Sequence, residues 1–276
     1  MKLSKFDQRI RRADELAAVH PFAAEILQFY KRLASLQKVL YTSLQEANGN
    51  GSAKKFSRLA GEHLDFEFLT ANFPEFLSAV EAIAPGPIAQ SAQGLRTQSA
   101  SRWNDRFSTF LFSGPDLEAN AGDPESLLVI AFLQPYAEFF ADHREHNESD
   151  ETARVCPFCQ GKPVVGVLRP EGDGAKRSLI CSLCLTEWKY GRIRCGRIRC
   201  PACGEEAVEK LAVYTASQFP HVRVEACDTC RRYIKTVDLT KNGLAVPIVD
   251  ELATLPLNLW AQEHDYVKLQ ANLLGI

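Results

Sequence analysis

Nine cysteines carry most of the chemistry this sequence can do, and all of them lie between Cys156 and Cys230. Eight form four CxxC pairs: Cys156/Cys159, Cys181/Cys184, Cys200/Cys203 and Cys227/Cys230. The pairs make an internal repeat, with 21 residues between the first two and 23 between the last two. An aromatic, Trp188 or Tyr233, follows the last cysteine of each half. Each CxxC pair suits a tight turn, and two such turns face to face give the four-sulfur tetrahedron that Zn²⁺ or a single iron ion accepts. Pairing within each half is expected, although spacing alone also allows interleaved pairing.

Metal binding explains how so small a segment folds, since an S₄ site can contribute on the order of 10–16 kcal/mol of apparent binding energy. Gly161 and Gly204 fit the unusual φ values that such knuckles need. Buried structural cysteines are disfavoured by the duplicated spacing, and a redox dithiol lacks the βαβ context of thioredoxin-type motifs. Cys195 has no partner. It ends the first copy of a five-residue duplication, Gly191–Cys195 then Gly196–Cys200, and reads as a spare thiol. The same stretch gathers Lys189, Arg192, Arg194, Arg197 and Arg199, a solvated basic loop by default and an anion-binding patch on the sharper reading.

No nucleotide-binding, zinc-protease or serine-hydrolase motif is present. The six histidines are scattered, and His143 and His146 read as solvated rather than as ligands. A closed S₄ site has no open position for water or substrate. The sequence therefore favours a binding or assembly protein over an enzyme.

The elements that must position these cysteines divide the chain in two. Before them the pattern is helical. Phe22, Ile26, Phe29, Leu33, Leu36, Leu40 and Leu44 recur at steps of three or four, which predicts a long helix entered at His20-Pro21. Its stripe suits a bundle core, with a homodimer seam as the other use. Asp123-Pro124 has the chemistry of a helix start, and Pro135 inside that helix predicts a kink or break. Weaker helices are expected around Glu75–Ile83 and Arg102–Phe112. Pro85–Ser101 reads as a loop with at most a short helix, and Asp142–Thr152 as a linker. Val164–Val167 and Val222–Val224 suggest strands. A C-terminal helix is expected from Asp250, with Leu252, Leu255, Leu259 and Tyr266 roughly on one face.

The 46% apolar and 24% charged composition is that of an ordinary globular chain, and the net charge of −2 gives no general electrostatic reason to bind nucleic acid. The apolar runs are too short to insert in a membrane. Met1–Asp14 is charged and amphipathic, without the pattern of a secretory signal, so a cytoplasmic location is expected. In that compartment spaced cysteines are ligands rather than disulfides.

The chain resembles the FdhE family of formate dehydrogenase accessory proteins. The cysteine core carries the likeness: Cys156-Pro157-x-Cys159, Cys181-Ser182-Leu183-Cys184 with Thr186-Glu187-Trp188, Cys200-Pro201-x-Cys203-Gly204, and Cys227-Asp228-x-Cys230 with Tyr233-Ile234-Lys235. Arg12-Ala13, Leu16-Ala17 and His20-Pro21 are similar to the family's opening, and Asp250–Leu255 to its final helix. Gln160 and Asp265 stand where a glycine is usual. The GRIRC duplication lengthens the segment before the third pair, where Cys200 keeps the following Pro-x-Cys-Gly.

The resemblance implies an α+β chain: a helical domain (1–150), two tandem rubredoxin-like modules (151–196 and 197–249) and a C-terminal helix (250–276). It implies iron in two FeS₄ sites, with zinc the alternative metal. It also implies a role in maturing the catalytic subunit of respiratory formate dehydrogenase before export. A zinc-ribbon nucleic-acid binder and a rubredoxin-like electron carrier are the competing functions.

Overall fold

A computed structural model describes residues 3–48, 55–61, 64–112, 123–145, 152–191 and 199–276. The helical part comprises α1 (Lys5–Val19), α2 (Ala24–Ala47), α3 (Phe66–Glu81), α4 (Gly86–Arg96), α5 (Ala100–Phe112) and α6 (Pro124–Asp142). α2 is the long helix expected after His20-Pro21, with Pro21 in a 3₁₀ turn at its entry. Phe29, Leu33, Leu40 and Leu44 are buried, whereas Phe22 is exposed. A second row, Leu27, Tyr30, Ala34 and Tyr41, widens the apolar face, so α2 packs on both α1 and α6.

α6 is the central helix, buried on every side from Leu128 to Ala141. Asp123 caps it, its carboxylate accepting from the backbone N–H of Glu125 and Ser126. Of the kink or break expected at Pro135, the break does not occur: α6 runs through it as one helix. Proline at 135 cannot donate to the Ala131 carbonyl, four residues earlier. The Gln37 side chain of α2 donates to that carbonyl instead, at 2.8 Å.

Pro85–Ser101 is not a loop. It holds all of α4, with Pro87 in the first turn and Ala92 and Leu95 buried in the core, and the start of α5. Proline is harmless in the first turn, and Gly94 faces open space, so neither breaks the helix.

Beyond α6 the chain forms one seven-stranded sheet. Its strands are β1 (Pro163–Glu171), β2 (Gly174–Cys181), β3 (Glu187–Lys189), β4 (Leu211–Thr215), β5 (Val222–Cys227), β6 (Arg232–Asp238) and β7 (Val267–Lys268). The order is β3-β2-β1-β6-β5-β4, with β7 added on β6. Each half is a three-stranded antiparallel meander, and the two join through parallel pairing of β1 with β6. At that seam Gly166 faces Thr236, and a Cβ at 166 would fall 2.3 Å from the Thr236 hydroxyl. Only glycine allows the halves to approach this closely.

The single C-terminal helix is instead two, α7 (Pro247–Ala253) and α8 (Leu255–Glu263), separated at Thr254, with Pro256 in the first turn of α8. Leu259 is exposed, and Tyr266 lies beyond α8, beside β7.

Candidate metal centre

Each CxxC pair sits at a turn around the ends of a hairpin. Cys156 and Cys159 precede β1, while Cys181 ends β2 and Cys184 follows it; Cys200 and Cys203 precede β4, while Cys227 ends β5 and Cys230 follows it. An antiparallel hairpin returns the chain to its starting end, so each half brings its own two turns together. Two sulfur clusters result, Cys156/Cys159/Cys181/Cys184 and Cys200/Cys203/Cys227/Cys230, with the sulfurs of each within 4.8 Å of one another.

Across the first cluster Cys156 and Cys184 are 3.5 Å apart and Cys159 and Cys181 3.3 Å. In the second, Cys200–Cys230 and Cys203–Cys227 are both 3.7 Å. A tetrahedron with metal–sulfur bonds of about 2.3 Å has edges of about 3.8 Å. All these separations far exceed a disulfide bond. Each cluster thus has the donor set and size for one tetrahedral ion.

The backbone closes each turn in the same way. The residue after the second cysteine has positive φ in all four: Gln160 (63°), Leu185 (54°), Gly204 (84°) and Arg231 (56°). Its N–H bonds back to the first cysteine's carbonyl in three of them, Gln160 to Cys156 at 2.9 Å, Gly204 to Cys200 at 3.0 Å and Arg231 to Cys227 at 2.8 Å. The carbonyls of Gly161, Thr186 and Glu205 accept from Cys156, Cys181 and Cys200 in turn. Gly204 serves the torsion as expected. Gly161 does not, because φ there is not positive; its reason is contact, since a Cβ would lie 2.9 Å from Cys181 Sγ.

Donors point at the sulfurs as well. The N–H of Leu183 lies 3.4 Å from Cys181 Sγ and that of Ala202 3.3 Å from Cys200 Sγ. The Cys184 thiol in turn donates to the Thr186 hydroxyl oxygen at 3.2 Å. Burial pushes the Cys181 and Cys184 thiols up and Cys200 to about 11. Burial also opposes ionisation of Cys156, but hydrogen bonding with the other three sulfurs outweighs it and holds this thiol low. Burial thus opposes thiolate formation in the first cluster, and a di- or trivalent cation among the four sulfurs would offset it.

The surroundings tie the halves together. Trp188 of β3 is buried and donates from Nε1 to the Ala153 carbonyl at 2.8 Å, while Tyr233 is buried on β6. The Tyr190 hydroxyl donates to the Cys200 carbonyl at 2.9 Å, and Arg154 reaches the Ala202 carbonyl at 3.0 Å. Gln134 of α6 donates to the Ser182 carbonyl at 3.0 Å, joining the helical part to the first cluster. Cys195, His146 and Arg192, Arg194 and Arg197 lie outside the described residues. Arg199, beside Cys200, pairs with Glu206 at 2.7 Å, and His143 Nδ1 meets the Phe139 carbonyl at 2.8 Å.

Comparison with known proteins agrees with this geometry. The model of the FdhE central domain matches residues 155–192, and that of the FdhE C-terminal domain residues 198–274. A curated protein of Aquifex aeolicus, named a protein FdhE homolog, is 30% identical over 92% of this chain and 87% of its own length. The chain belongs to the FdhE family. An FdhE homolog of Haemophilus influenzae is 25% identical over 97% of this chain and 87% of its own. The crystal structure of the FdhE protein from Pseudomonas aeruginosa shares the fold, with a TM-score of 0.71 at 24% identity over 98% of this chain and 95% of that one.

The FdhE-like stretches outside the cysteines meet in space. Asp250 of α7, itself buried, accepts from Arg12 Nε of α1 at 2.9 Å, from His221 at 2.8 Å and from the Val246 N–H at 2.7 Å. Beside it, Glu251 pairs with fully buried Lys235 of β6 at 2.9 Å and also with Lys268. Lys235 further donates to Thr254 Oγ1 at 3.1 Å. The opening, the last knuckle and the Asp250–Leu255 stretch thus form one buried polar junction between the helical part and the sheet. Sequence reading gave no role to these ionic residues. The signal available was the adjacency of two carboxylates, Asp250 and Glu251, inside an otherwise apolar segment.

Proposed function

We propose that this chain is a non-enzymatic accessory protein of formate dehydrogenase, which binds the catalytic subunit in the cytoplasm before export and aids its maturation. The observation that carries the reading is a pair of closed four-sulfur clusters in a chain of the FdhE family. Cys156, Cys159, Cys181 and Cys184 hold one ion, and Cys200, Cys203, Cys227 and Cys230 the other. Iron is the metal of choice in this reading and zinc its substitute, because both accept four thiolates in a tetrahedron. Bound iron would supply a one-electron couple without opening its ligand shell. Residues 151–196 and 197–249 are the two metal modules, placed between the helical part (1–150) and the C-terminal segment (250–276). No helix among the described residues is long and apolar enough to cross a membrane, which is compatible with a cytoplasmic role.

Two measurements test this. Metal content and the visible spectrum of protein purified anaerobically from its own cytoplasm should give about two iron atoms per chain and a rubredoxin-like colour that bleaches on reduction. Tagged protein should then recover the formate dehydrogenase catalytic subunit from cell extract. Failure to recover it, or equal recovery by a folded variant lacking the eight cysteines, would overturn partner binding or the need for metal respectively.

A further inference from the structure

The two clusters differ in their access to solvent. All four cysteines of the first are buried, and they belong to the same apolar core as α3, α5 and α6. Phe158, inside the first turn, is buried, and its carbonyl accepts from the Leu59 N–H at 2.9 Å, so a segment of the helical part covers this turn. In the second cluster Cys200 and Cys227 are buried, but Cys203 is exposed and Cys230 half-buried. Its first turn adjoins β4, an edge strand that exposes Val213 and pairs only with β5 among the described residues.

We propose that the second cluster is the exchangeable metal site and the first a permanent brace of the fold. This rests on both clusters being metal sites. A tetrathiolate ion leaves when an incoming ligand reaches the metal or when water and protons reach a bound thiolate, and the shell around a site sets that access. At the second cluster the Cys203 sulfur offers such an approach without any opening of the chain. At the first, the approach requires separating a core turn from α6 and the 55–61 segment, so its release follows the slower opening of that core. The chain therefore carries one ion that can be delivered, removed or replaced while the fold persists.

The test uses the full chain loaded with two zinc ions, mixed with excess chromophoric zinc chelator. Release should be biphasic, one equivalent leaving at least roughly tenfold faster than the other, as expected for local against core opening. Cys203→Ser should abolish the fast equivalent and keep the slow one. Timed alkylation of the loaded wild-type chain with iodoacetamide, mapped by mass spectrometry, needs no variant: Cys203 and Cys230 should react before any of Cys156, Cys159, Cys181 and Cys184. A common release rate, or earlier labelling of the first cluster, would overturn the proposal. A chain that never retains two ions would instead overturn the metal reading beneath it.

Discussion

The α-carbon of Gly161 is held against the sulfur of Cys181, so closely that a β-carbon there would lie 2.9 Å from it and 3.3 Å from Cys159 Sγ. Two ligands of the first cluster thus depend on the absence of one methyl group. Gly161→Ala should push those sulfurs apart, at an overpacking cost of about 1–3 kcal/mol, and weaken the first ion. Gly204→Ala is the control: its φ of 84° makes the change strained, but open space surrounds the new Cβ. Chelator competition should show loss of the first ion in Gly161→Ala and retention of both ions in Gly204→Ala. Equal affinities in both variants would mean that the first cluster yields freely around position 161.

Gln160 and Asp265 share a left-handed backbone, with φ of 63° and 61°. A residue with a side chain pays about 1–2 kcal/mol there, while glycine costs some unfolded-state entropy in return. Gln160→Gly and Asp265→Gly should each raise stability by roughly 0.5–1 kcal/mol. Denaturant titration of the metal-loaded chain measures this. Gln160→Gly also loses the amide bond to the Cys156 carbonyl at 3.3 Å, so its gain should be the smaller. A loss in both variants would mean side-chain contacts outweigh the torsion.

What was legible in the sequence follows from range of interaction. The four CxxC turns and the α2 stripe are local patterns, and Gly204 could be assigned its torsion from its place after a knuckle. The fusion of the halves was not legible, because it depends on Gly166 meeting Thr236 seventy residues away, and nothing local marks a parallel seam. Gly161 was read for torsion because a glycine near a turn has that default use; its contact with Cys181 exists only after the hairpin closes. α4 is longer than the short helix the sequence suggests there, because Pro85, Gly86 and Pro87 signal a loop although they stand where a helix begins.

Gln37 explains the uninterrupted α6, and that account is open to test. It donates to the Ala131 carbonyl that Pro135 leaves free, and lies 3.2 Å from Gln134 Oε1. Gln37→Met keeps much of the volume but strands a buried acceptor. The expected loss is about 1–3 kcal/mol, read by denaturant titration. In Gln37→Met/Pro135→Ala the helix supplies its own donor to Ala131, so the loss from the Gln37 change should shrink. An unchanged loss in the double variant would mean that Gln37 stabilises the chain through Gln134 rather than through Ala131.

The buried Lys235–Glu251 pair sets a pH dependence on the alkaline side. Burial pushes the Lys235 ammonium down to about 8 from 10.5, and Glu251 opposes this only in part. Between those values the unfolded chain binds more protons at Lys235 than the folded one, so stability rises with pH across the window. The charged lysine therefore costs stability below pH 8, and the cost is relieved as pH climbs towards 10.5. Wild type compared with Lys235→Met, which has no proton to lose, isolates this term from every other titration. Wild type should gain on the variant by up to about 1.4 kcal/mol per pH unit within that window, measured by denaturant titration. A difference that stays flat, or falls, would mean that Glu251 holds the ammonium at or above its ordinary value despite complete burial.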